Sequence, residues 1–183
     1  MEFIKAKIPG IIICKPSIIR DKRGFFTESF RKDLFENFVG HKINFCQDNL
    51  SESVYGVLRG LHFQIEPYAQ SKLVSVQKGK ILDVVVDIRK SSKHYGKSFK
   101  IELDDTNCNQ LFVPKGFAHG FVVLSRTARI CYKVDNYYNQ KKERGFIYND
   151  PSLNIDWNID EKSIILNEKD KSYPPFDSNH FFK

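Results

Sequence analysis

The stretch KLVSVQKGKILDVVVDIRK, residues 72–90, constrains the fold more than any other. Two runs rich in valine, leucine and isoleucine flank QKGK. Leu82, Val84, Val86 and Ile88 alternate with Asp83, Val85 and Asp87, which is the two-residue period of a strand. A short glycine-containing turn joins the runs. Further strands are read at KSFKIEL, QLFVP, GFVVLS and ARICYKVD, with turns between them. That spacing predicts an all-β sandwich or barrel. Helical periodicity is scarce. DLFENF, 33–38, predicts a short helix with Leu34, Phe35 and Phe38 at i, i+1 and i+4, and SIILNEKD, 163–170, a second. The tail YPPFDSNHFFK is expected to lie over the surface without regular structure.

A chain of 183 residues, 41% hydrophobic and 28% charged, suits one globular domain with a real core. No apolar run approaches the roughly 18 residues of a membrane span. The start, MEFIKAKIPGIIICKPS, lacks the pattern of a signal peptide. Cys14, Cys46, Cys108 and Cys131 form no CxxC pair, so zinc-ribbon and thioredoxin readings have no support. Scattered cysteines without a secretion signal point to reduced thiols in the cytoplasm. The net charge is +7, but the lysines are spread along the chain and the longest basic cluster is KK at 141–142. A nucleic-acid partner is therefore not expected. A diphosphate needs only a few cations in one pocket.

Two stretches carry chemistry. VLRGLHFQ, 57–64, sets His62 in an apolar run, where it reads as a metal ligand, a catalytic base or a core histidine. In VPKGFAHGF, 113–121, proline and glycine bracket a turn before His119. That PxGxxH pattern recurs in cupins, small jelly-roll barrels. Metal-binding cupins add an HxH pair, but here the second position is Gln64, with no glutamate following closely. A three-histidine site cannot be built from these motifs, so no metal is expected.

RGFFTESF (23–30), CQDNLSES (46–53), GVLRGLHFQ (56–64), QSKLVSVQKGKILDVVVDIRK (70–90), VPKGFAHGF (113–121), CYKVDNYY (131–138) and ERGFIYNDPSLNIDW (143–157) arrive in order. Together they resemble the dTDP-4-dehydrorhamnose 3,5-epimerase family, from about residue 3 to about residue 175. The resemblance implies a cupin-like jelly roll in one domain: an N-terminal arm and strands over 1–50, a core over 51–150, and a short helical C-terminal tail over 151–183. It also implies a homodimer through strand exchange, and an isomerase of deoxysugar biosynthesis that uses no metal or cofactor. Its partner would be a nucleotide-diphosphate 4-keto-6-deoxy sugar, inverted at the carbons beside the ketone. Carried over by position, His62 is the base, Asp170 its orienting partner, Tyr132 the acid on the opposite face, and Lys72 the holder of the ketone oxygen. Arg23, Glu28, Gln47, Asn49, Arg59, His119, Glu143 and Lys169 match positions that bind the nucleotide sugar, and Phe26 and Tyr138 match aromatic positions near it. Leu50 departs from the pattern, since relatives often carry histidine there; this bears on the substrate's identity.

The chemistry has its own demands. A C–H beside a ketone is lost only to a positioned base, with positive charge where the enolate oxygen develops. A histidine can be neutral at working pH and accept a proton, and a carboxylate behind it fixes the tautomer. Inversion needs the proton returned from the other side, and a tyrosine hydroxyl can donate it. Taken alone, the residues read more plainly: Tyr132 as a core tyrosine, Asp170 as a helix-end aspartate, His119 as a turn anchor, Lys72 as a strand-edge solubiliser. Arg59 and His62 are three apart, so an unbroken strand sends them to opposite faces; a bulge at Gly60 would bring both to one pocket. The alternatives are single inversion at C3, a GDP- or CDP-linked hexose or heptose, and a sugar-binding jelly roll without catalysis. A 3,4-ketoisomerase is disfavoured because LHFQ lacks HxH.

Overall fold

The two runs of residues 72–90 are strands, yet they do not lie side by side. In the computed structural model, which describes residues 1–176 and 182, Lys72–Lys78 belongs to one sheet and Lys80–Asp87 to another. Gly79 turns the corner between them with φ of 79°. A Cβ there would stand 2.1 Å from the Thr127 carbonyl oxygen, so the passage between sheets requires glycine. The expected turn is present as an arch between sheets, not as the tip of a hairpin.

In chain order the elements are β1 (Glu2–Lys5), β2 (Ile12–Lys15), β3 (Ile18–Asp21), β4 (Gly24–Thr27), α1 (Lys32–Val39), β5 (Gln47–Val54) and β6 (Leu58–Gln64). Then come β7 (Lys72–Lys78), β8 (Lys80–Asp87), β9 (Ser98–Asp104), β10 (Gln110–Val113), β11 (Phe117–Val123), β12 (Thr127–Val134), β13 (Glu143–Gly145) and α2 (Glu168–Lys171). One sheet runs β1-β2-β10-β7-β12-β5 and the other β13-β6-β11-β8-β9, while β3 and β4 form a separate hairpin. The fold is a jelly-roll sandwich of antiparallel sheets, as expected.

Three apolar layers hold it. Val74, Val76, Leu111 and Ile130 of the first sheet meet Ile81, Val85, Leu103 and Phe117 of the second in the interior. Phe35 of α1 covers Ile12, Leu73 and Phe112 on the outside of the first sheet. Phe146, Leu153 and Trp157, beyond β13, cover Leu82, Val84 and Val86 on the outside of the second. Strand β8 is thus buried on both sides, and the side that carries Asp83 and Asp87 also carries the interior residues Ile81 and Val85.

Helix α1 forms where expected and stops at Gly40, whose φ is 84° and whose N–H bonds to the Glu36 carbonyl. The helix expected over 163–170 is only partly helical. Ile165 is drawn into extended backbone contacts with Gly56, Val57 and Leu58, so α2 begins at Glu168, capped by the Asn167 side chain. The part of the tail expectation that falls on residues 177–181 and 183 lies outside the described residues.

Candidate active site

Strand β6 brings the site together by an irregularity in its register. His62 pairs with His119, and Arg59 pairs with Phe121. Gly60 and Leu61 on β6 therefore stand against Gly120 alone on β11, which is a bulge. Gly60, at the bulge, has φ of 133°, and a Cβ on it would lie 2.5 Å from the Gly120 Cα. The bulge puts Arg59 and His62 on the wall of one cavity, which decides between the two alternatives the sequence left open at Gly60.

The His62 Nε2 lies 2.6 Å from Asp170 Oδ1. Asp170 is 1% exposed, and α2 presents it there because the Asn167 Oδ1 accepts from its N–H at 2.7 Å. The Tyr173 ring stands 5.4 Å from the imidazole, centroid to centroid. The second sheet and the tail thus supply an oriented imidazole.

The first sheet supplies the facing groups. Tyr132 on β12 and Lys72 on β7 line the same two cavities as His62 and Glu143, of about 290 and 230 Å³. Burial raises the Tyr132 phenol above its ordinary value; the positive charge of Arg59 opposes this and the negative charge of Glu143 adds to it. Burial pulls the Lys72 ammonium down to about 8, against the charges of Asp83 and Glu143, which raise it.

Around these four stand several of the residues expected to bind the ligand. Burial alone would raise the Glu143 carboxyl, but hydrogen bonds from Lys169 and Tyr138, with the charge of His62, hold it below the usual range. On β5 the inward side chains form a row. Gln47 donates to Asn49 at 2.8 Å, its Oε1 accepts the Tyr138 N–H, and Ser53 Oγ accepts twice from Arg59. His119 is 7% exposed, and its Nε2 lies 2.9 and 3.0 Å from the two oxygens of Asp83. It is both a wall of the cavity and half of a buried pair.

Not every expected residue is here. Arg23, Phe26 and Glu28 are exposed on or just after the β3–β4 hairpin and line neither cavity. Arg23 pairs with Asp21 at 2.6 Å instead, and Phe26 is 68% exposed. Leu50, the departure from the pattern, is 66% exposed. It lies on the side of β5 opposite Asn49 and Ser51, so it does not touch the cleft. Sequence reasoning missed Asp83, Ser51, Asn167 and Tyr173. Asp83 alone gave a signal, as a carboxylate within the β8 alternation. Gln64, weighed only as a missing ligand, lines a cavity and ties the loop after β12 to β6 by bonding to Tyr137 and Asn139. Among the described residues no cluster of three or more His, Cys, Asp or Glu could hold a metal ion.

Comparison with known proteins agrees with this geometry. A family model described as dTDP-4-dehydrorhamnose 3,5-epimerase matches residues 5–178. A dTDP-4-dehydrorhamnose 3,5-epimerase of Shigella flexneri is 48% identical over 182 residues, covering 99% of each chain. The solved structure of such an epimerase from Elizabethkingia anophelis superposes with a TM-score of 0.94 at 45% identity, covering 99% of each chain. A dTDP-6-deoxy-D-glucose-3,5-epimerase of Legionella pneumophila, solved with dTDP-4-keto-L-rhamnose, also gives 0.94, at 41% identity over 100% of this chain and 97% of that one. With a matching family model over nearly its whole length, and the sheets, bulge and facing side chains described above, this chain belongs to the dTDP-4-dehydrorhamnose 3,5-epimerase family.

Proposed function

We propose that the protein inverts C3 and C5 of a dTDP-linked 4-keto-6-deoxy hexose. One observation carries the reading: an imidazole oriented by a buried carboxylate on one sheet shares its cavities with a tyrosine and a lysine of the other. His62 takes the proton from C3, and the electron pair moves through the C3–C4 bond onto the ketone oxygen. Lys72 holds that oxygen as charge develops on it. Tyr132 gives its hydroxyl proton to C3 from the other side, and the C4 ketone re-forms. The imidazolium then loses its proton to solvent and the phenolate regains one. A second cycle at C5 uses the same oxygen and the same three groups. Asp170 keeps His62 in the accepting tautomer and stabilises its cationic form. Tyr132, raised by burial, keeps its proton through neutral pH until the carbanion claims it. Arg59, His119 and Lys169 supply the polar and positive groups for the diphosphate.

Arg23, Phe26 and Glu28 belong to the same function through a second copy of the chain. An exposed hairpin with Phe25 52% and Phe26 68% exposed is suited to reach a neighbour's cleft, in a homodimer. The four cysteines are free thiols, which suits a reducing cytoplasm.

The test is epimerisation in deuterium oxide with the keto sugar nucleotide. Label should enter at both C3 and C5. Label at C3 alone would replace this reading with single inversion. No label from dTDP-, GDP- or CDP-linked keto sugars would leave a binding module.

A further inference from the structure

Of the inward row on β5, three side chains have protein partners. Gln47 and Asn49 bond to each other, and Ser53 accepts from Arg59. The fourth, Ser51, does not. Its Oγ is buried and has no hydrogen-bond partner, and it is alone in that respect among the side chains described. Yet Ser51 lines the cleft beside Arg59, His119, Phe121 and Tyr132. It sits opposite Ile130 on β12, one step along the row from Asn49, which sits opposite Tyr132. A buried hydroxyl without a partner is a standing cost to the fold, and a site that leaves one at the reacting end of its cleft is arranged to spend it on a ligand.

Resting on the epimerase reading above, we propose that Ser51 is a specificity-determining residue whose hydroxyl bonds the C2 hydroxyl of the sugar ring. The ligand's own chemistry selects that atom. A 4-keto-6-deoxy hexose joined to its nucleotide at C1 carries two free ring hydroxyls, on C2 and C3. The C3 hydroxyl changes sides when C3 inverts, so a fixed serine meets it in only one of substrate and product. The C2 hydroxyl keeps its configuration throughout. A contact there holds the ring still while its neighbour carbon inverts. Serine turns among three staggered χ1 positions, so the hydroxyl reaches the ligand without moving the strand.

The test measures the affinity of wild type and Ser51→Ala for the keto sugar nucleotide and for its 2-deoxy analogue, by calorimetry. Binding is read directly, so the result stands whether or not the sugar is turned over, and failure of the epimerase reading shows separately as absent deuterium uptake. Ser51→Ala should bind the parent about 3- to 10-fold more weakly, the range for one neutral hydrogen bond. It should bind the 2-deoxy analogue as wild type does. Wild type should itself discriminate against the analogue. Ser51→Ala should melt no lower than wild type, because it deletes a polar atom that no protein group satisfies. Unchanged affinity of Ser51→Ala for the parent would overturn the proposal. So would an equal loss with both ligands, which would place the serine's partner elsewhere.

Discussion

Lys72 decides the pH range of the proposed chemistry. It acts as an ammonium, and burial brings its pKa to about 8. Below that pH the charge is present; as pH rises through it, the charge is lost, and with it the stabilisation of the enolate oxygen. The value of kcat/KM, which reports the free enzyme, should therefore fall on an alkaline limb near pH 8. The charge of Glu143 raises the Lys72 pKa, so Glu143→Gln should move that limb to lower pH. A profile flat through the limb and for about two units beyond would contradict the role, since the form that donates would be gone. At this scale the sequence was informative for the chemistry-bearing types, because a family pattern marked His62, Lys72, Tyr132 and Asp170 at their positions. It was silent on partners made by folding. Asp83 meets His119 from 36 residues away, and no spacing rule joins two strands whose order in the sheet is unknown. The face that Leu50 takes was equally illegible: its place on β5 alone did not say that it points away from the cleft of its own chain.

At the scale of elements, the bulge on β6 joins fold to chemistry. Gly60→Ala should lower stability by at least about 1–3 kcal/mol for the backbone conformation alone, with the collision against Gly120 added. The melting temperature should drop by several degrees, and turnover should fall further than stability, because Arg59 and His62 lose their common wall together. A Gly60→Ala protein with unchanged melting and turnover would show that the bulge does not place them. Strand β8 was legible from period two. The arrangement of β7 and β8 was not, since a short glycine turn serves a hairpin and an arch equally well. The choice is made by partners far along the chain: β10 and β12 flank β7, while β9 and β11 flank β8. The C-terminal helix was overread: only its end, from Glu168, is helical, because Ile165 is taken up by Val57 just before β6.

At the scale of the whole molecule, the cleft of one chain lacks three of its expected binding residues, and that is testable by complementation. His62→Ala alone should lose about 10²–10⁴ in turnover or more. A hairpin variant, Arg23→Ala with Phe26→Ala, should lose substrate affinity. Co-expressed, the two should regain about a quarter of wild-type activity in the proposed homodimer, where half of randomly assorted dimers would be mixed and each mixed dimer would have one complete cleft. No recovery would confine each cleft to its own chain. The sandwich has one more consequence. His62 stands on one sheet and Tyr132 on the other, and facing sheets keep a separation of about 10 Å because the side chains between them fill it. The gap between base and acid is thus gauged by neither strand but by the apolar layer of Val85, Ile130 and their neighbours deeper in the sandwich. The sugar ring takes the place of one course of that masonry. A methylene added or removed in that core should therefore change the width of the slot, so that side-chain volume there bears on the stereochemical outcome.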